Sequence, residues 1–112
     1  MAIHKGTYWT GHFTLKDTSG AVINISGWEF EADLRYAIED DSAALRLTTA
    51  NGGFAVLDGP NGRLEMRVSE AQSSSLEEGK ILFDVLRTDA VPGPIWLFRA
   101  MVPVKLSVTR DV

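Results

Sequence analysis

Cysteine is absent from the 112 residues, which excludes a disulfide framework and any thiolate metal site. Stability therefore has to come from packing, and a chain of this length can bury roughly two-thirds of its unfolded surface without staples. Histidine is scarce: His4 and His12 are the only two. Structural metal sites show closely spaced ligands or cysteines, so surface histidines are expected, with no metal and no other cofactor. No apolar run approaches the about 20 residues that cross a bilayer, and Met1–Gly6 lacks the apolar core of a signal peptide. The expectation is synthesis in a reducing cytoplasm and no membrane partner. Positive charge is in the minority, eleven Lys and Arg against fifteen Asp and Glu. Neutralising a phosphate backbone needs clustered cations, so nucleic acid is not the expected partner.

Catalytic signatures are missing as well. Glu39-Asp40-Asp41 lacks the alternating order of a calcium loop and reads as a solvated acidic bend. Gly52-Gly53, Gly59 and Gly62 lack the lysine and following helix of a phosphate loop, and read as turn formers. Ser73, Ser74 and Ser75 stand in no nucleophile elbow and beside no evident base, so a surface helix or loop is expected there. Nothing in spacing selects a pair of carboxylates facing across a cleft, as glycoside hydrolysis would require. No enzymatic activity is expected.

What the chain does have is alternation. In Trp28–Ile38, Trp28, Phe30, Ala32, Leu34, Tyr36 and Ile38 fall on one parity and Glu29, Glu31, Asp33 and Arg35 on the other. Side chains of a strand alternate between faces, so this reads as a half-buried strand of about 36 Å. Trp9, Phe13 and Leu15 share a face in Tyr8–Lys16. Asp17-Thr18-Ser19-Gly20 supplies turn chemistry, and Ala21–Ser26 reads as the returning strand of a hairpin. Short strands are expected around Leu45–Leu47 and Phe54–Leu57. Asp58–Gly62 is the strongest turn signal, followed by Arg63–Ser69 with Leu64, Met66 and Val68 inward.

Ser69-Glu70-Ala71-Gln72 has the form of a capping box opening a short helix near 70–78, with Gly79 as its C′ residue. Lys80–Arg87 returns to strand with Ile81, Phe83 and Val85 on one face. Thr88–Pro94 is a turn, and Ile95–Thr109 is the last strand region. Pro103 within it implies an edge, a bulge or a break, because proline cannot donate to a ladder. About eight strands with one short helix make an all-β, antiparallel β-sandwich, Ig-like or jelly-roll-like, as one domain over 1–112 with an N-terminal arm at 1–7. Trp28, Phe30, Leu34, Tyr36, Phe13, Leu64, Met66 and Phe83 are the expected core. Trp9 and Trp28 both lie on apolar parities.

Ile95, Trp96, Leu97 and Phe98 differ from the rest, being apolar on both parities. Such a strand needs cover on both sides. Another subunit is one source of cover, which makes these four the candidate interface residues. Burial beneath the arm Ala2–Tyr8 is the other.

The order of the pieces resembles small structural proteins of tailed bacteriophages and prophages, including the N-terminal domains of baseplate upper proteins. The matching pieces are Phe13-Thr14-Leu15-Lys16-Asp17, Gly20, Ile23-Asn24-Ile25, Gly27-Trp28 and Leu34-Arg35. Later come Gly79-Lys80-Ile81-Leu82-Phe83-Asp84-Val85 and Val108-Thr109-Arg110. One departure is Arg99-Ala100, where those proteins carry a glycine before the C-terminal strand. The resemblance implies a non-enzymatic virion component of a tail, baseplate, neck or head-decoration position. It would be located in the virion and partnered by its own copies, as a homo-oligomer, and by other virion proteins. A carbohydrate-binding β-sandwich module using exposed aromatic residues is the alternative.

Overall fold

The computed structural model describes residues 2–37 and 42–106. The acidic bend Glu39–Asp41, Ile38 and the expected strand end beyond Leu106 lie outside the described residues. Among the described residues, eight strands and one helix follow in the order β1 (Ile3–His4), β2 (Trp9–Thr14), β3 (Phe30–Arg35), β4 (Leu45–Thr48), β5 (Phe54–Asp58), β6 (Arg63–Val68), α1 (Glu70–Ser74), β7 (Gly79–Arg87) and β8 (Ile95–Lys105). They form a five-stranded sheet, β1-β8-β7-β3-β4, and a three-stranded sheet, β2-β6-β5. The chain is an all-β, sandwich-like fold. Every strand pair is antiparallel except β1 with β8, which is parallel.

The two sheets close on one core because each inner face carries one parity of its strands. Phe30, Ala32 and Leu34 of β3, Ile81, Phe83 and Val85 of β7, and Val102 and Val104 of β8 face Leu64, Met66 and Val68 of β6. Phe54 stacks 5.9 Å from Phe30, joining the sheets through a tilted aromatic pair. Trp9 folds back along its own strand over Gly11, where an added Cβ would lie 2.6 Å from the indole. A bare backbone position on β2 thus lets the largest side chain lie flat in the core.

Several expectations are corrected. The long strand is shorter: β3 spans six residues, roughly 20 Å at the usual rise. Trp28 precedes it in a turn, its amide donating to the Ile25 carbonyl, and Tyr36 follows it in a bend. Both side chains are half-buried, as is Phe13. Trp28 sits at the rim under the Arg87 guanidinium, 4.0 Å from its ring centroid. Tyr36 keeps its hydroxyl toward solvent to accept from the Glu77 amide at 2.9 Å.

Ala21–Ser26 is not a strand. It makes a single bridge, Lys16 with Val22, then diverges. The Ile23 amide donates to Leu15, whereas the Ile25 amide donates to Gly59 in the β5–β6 turn. Its backbone is satisfied by two different partners, so the inward parity of Ile25 survives without a ladder. The strand that replaces it in the count is β1, inside the expected arm. Ile3 is fully buried beside Val104.

The capping box of α1 is present. Ser69 Oγ accepts from the Gln72 amide and Gln72 Oε1 accepts from the Ser69 amide. The helix nevertheless ends at Ser74 with Ser75 as its C-cap, and Gly79 instead opens β7. Ser73 is buried, not a surface residue. Its hydroxyl donates to the Thr7 carbonyl at 2.7 Å and accepts from the Gly6 amide at 3.0 Å. That pair of bonds fastens the chain before β2 to the helix. Pro103 resolves to the edge alternative. It lies in an uninterrupted β8, paired with Lys80 on β7, and among the described residues β1 reaches the outer side of β8 only at Val104–Lys105.

Candidate functional site

β8 is eleven residues long and paired with β7 along its length. Its outer side from Ile95 to Pro103 meets no other strand among the described residues. The register shifts between Val85 and Leu86: Val85 lies opposite Phe98 and Leu86 opposite Trp96, leaving Leu97 as an extra residue. A bulge of this kind turns side chains that would share a face toward different ones. It accounts for the both-parity run.

The four predicted interface residues are thereby divided. Leu97 and Phe98 are half-buried and pack against the core, Phe98 stacking 5.1 Å from Phe13 of β2. Ile95 and Trp96 are 49% and 58% exposed. The arm does not cover any of them, since β1 docks at the opposite end of β8. The Trp96 indole Nε1 donates to Asp84 Oδ1 at 3.0 Å, tethering the ring by its polar edge.

Asp84 belongs to a row that crosses the outer face of the larger sheet. Cross-strand registers align Arg99 of β8, Asp84 of β7, Asp33 of β3 and Arg46 of β4. Two carboxylates directly opposite one another repel, and each has its own guanidinium. Arg99 donates to Asp84 at 2.8 and 3.2 Å, and Arg46 to Asp33 at 2.7 and 3.2 Å. Hydrogen bonds from Arg99, then Trp96, hold the Asp84 carboxyl below its ordinary range against the effect of burial. Apolar residues flank the row: Trp96 beside Leu86 on one side and Met101 beside Leu82 on the other. Met101 is 53% exposed. Sequence reasoning missed Met101 and this row. Alternation placed Asp84 and Asp33 on wet faces, but only the register puts them next to each other.

Below the edge of β8 an open cleft of about 480 Å³ separates it from β2, the edge strand of the smaller sheet. Phe13, Ile23, Leu97 and Phe98 line its apolar part, with His12 and Lys16 at the polar margin. His12 Nε2 is 2.9 Å from Glu65 Oε2. His12 first and Arg67 second hold the Glu65 carboxyl below its ordinary range. No serine lines the cleft. His4 lies on β1 of the larger sheet and His12 on β2 of the smaller. Among the described residues no group of three or more His, Asp or Glu side chains is arranged to hold a metal ion. What this region offers a partner is an open strand edge, an apolar cleft and an exposed aromatic.

No protein-family model and no curated protein sequence matches the chain.

Proposed function

We propose that the protein is a non-enzymatic structural component of a tailed-phage particle, working by self-association or docking through the free flank of β8. The observation that carries the docking part is the exposure of Ile95, Trp96 and Met101 on one edge strand. Exposed apolar residues on a long open edge are an aggregation liability unless a partner covers them. The phage setting rests on the resemblance of the motif order from Phe13 to Arg110. Partners are then further copies and other virion proteins, and a closed symmetric oligomer is the expected form. A tail, baseplate, neck and head-associated position are all consistent with that resemblance.

One observation favours a second reading. Trp96 presents its face beside the Asp84–Arg99 pair, and an aromatic platform next to polar hydrogen-bonding groups suits a sugar ring. Sedimentation at several concentrations, with Trp96→Ser as comparison, tests the first reading. The unmodified chain is expected to form a defined oligomer, and a folded Trp96→Ser variant to form it at least about tenfold more weakly. A chain that stays monomeric at every concentration, and whose indole fluorescence shifts with soluble glycans, would establish the sugar-binding reading instead.

A further inference from the structure

Among the described residues the open flank of β8 is bounded at both ends. At one end β1 takes the positions beside Val104 and Lys105. At the other the extra residue Leu97 breaks the register with β7, and a bulge bends its strand. The stretch between the bounds runs from Leu97 to Pro103, with Ala100 at its midpoint. The Lys105 carbonyl accepts the Lys5 amide on this flank at 2.9 Å. Backbone groups point to alternate sides along a strand. Pro103, Met101 and Arg99 therefore turn theirs to the same flank, whereas Ala100 and Val102 turn theirs to β7. Proline has no amide to donate. The flank thus offers a partner strand the amides and carbonyls of Arg99 and Met101, placed evenly on either side of Ala100.

We infer that β8 of a second copy pairs with this flank in antiparallel fashion, about a two-fold axis at Ala100. This deepens the self-association reading and rests on it. Arg99 of each copy then faces Met101 of the other and exchanges both backbone hydrogen bonds with it, and the two Ala100 residues form the narrow pair between, about 4.5 Å apart at Cα. A strand from an unrelated protein would need no midpoint in the flank, but an isologous contact needs a patch that complements itself. The neighbouring registers fail that requirement. An axis at Arg99 sets like charges directly opposite one another. An axis at Met101 sets Arg99 against Pro103, which lacks the amide. The Ala100 register also suits the side chains. Arg99 is held by the Asp84 carboxylate of its own sheet, so its charge is offset where the copies meet, and exposed Met101 lies along the partner's Arg99 stem. Pairing stops at Leu97, where the partner's β1 takes up the flank, and this brings Trp96 beside that strand.

The chain has no cysteine, so single cysteines introduced into the full chain report the register. Under mild oxidation Ala100→Cys is expected to give a disulfide-linked dimer. Met101→Cys should give little, because diagonal positions lie about 7–8 Å apart and a disulfide does not span more than about 7 Å between Cα atoms. Met101→Pro removes one outward amide from each copy and leaves the ladder with β7 intact. It should sediment as a monomer at concentrations where the unmodified chain is a dimer, with an unchanged circular dichroism spectrum. Should Met101→Pro prove unfolded, the cysteine comparison decides alone. Undiminished assembly of a folded Met101→Pro, or linkage at Met101→Cys that equals or exceeds that at Ala100→Cys, overturns this inference and leaves self-association standing with another register or surface. An unmodified chain that is monomeric at every concentration overturns both.

Discussion

Phe30 and Glu31 are neighbours in β3 with opposite fates. Phe30 is buried between Trp28 and Phe54, with ring centroids at 6.3 and 5.9 Å. Glu31 lies on the outer face opposite Leu86 and Thr48. Phe30→Ala is expected to cost about 3–5 kcal/mol in a denaturant titration, and Glu31→Ala no more than about 0.5 kcal/mol. Equal losses would mean that the register of β3 is displaced by one residue. Two turn glycines separate in a similar way. Gly20 has φ +88 with open space where a Cβ would stand, whereas Gly62 has φ +70 and a Cβ there would lie 2.7 Å from the Leu15 carbonyl and 2.8 Å from that of Ile23. Ala at Gly20 carries only the left-handed backbone cost, about 1–2 kcal/mol. Ala at Gly62 adds a clash with two backbone oxygens and should lower the melting temperature clearly more. If the two variants melt together, the packing of Ile23 against the β5–β6 turn is looser than described.

At the scale of elements, α1 shows how a five-residue helix acquires a fixed place. The box from Ser69 to Gln72 satisfies amides at its start, and Ser73 ties it to Gly6 and Thr7. Ser73→Ala would leave the Gly6 amide without its acceptor, a loss of about 1–3 kcal/mol. Ser74→Ala, on the exposed side, should change stability by about 0.5 kcal/mol or less. Comparable losses at the two serines would show that the Gly6 bond does not hold this helix. The expected hairpin at 8–26 failed for an instructive reason. Alternation at Ile23 and Ile25 records which side chains turn to the core, but it does not record where their amides donate. Those amides go to Leu15 and to Gly59, partners far apart along the chain. Pro103 was readable as an edge marker, whereas the bulge at Leu97 was not, because a run of four apolar residues carries no sign of which one is extra.

The whole molecule carries a small acidic excess, and several of its carboxylates are held by specific donors. Asp89 is lowered to about 2 by Arg87 first and by the Glu29 amide second. Asp84 is lowered by Arg99, and Glu65 by His12 and Arg67. Folded values below the unfolded ones, about 3.9 for Asp and 4.3 for Glu, mean that the unfolded chain takes up protons first as pH falls. The stabilisation from these groups is complete above those unfolded values and is lost as pH drops through the folded ones. The denaturation midpoint should therefore decline from about pH 4 toward pH 2, and Asp89→Asn should make the decline shallower. A midpoint that stays level across that window would show that the surface pairs contribute nothing in solution.

Composition and alternation by themselves determined the fold class, the approximate strand number, the capping box and the inner parity of β3, β6 and β7. Each is a local consequence of the two-residue period of a strand or of the first turn of a helix. Tertiary structure decided the rest. It gave the N-terminal residues to a parallel pair with the end of β8, which parity cannot foresee because pairing partners are chosen by the topology of the sheet. It aligned Asp84 with Asp33 and gave each an arginine from a neighbouring strand. It also divided Ile95–Phe98 between a cleft and an outer face. That division needs one register shift between β7 and β8, and register is a relation between two strands that neither strand's sequence contains.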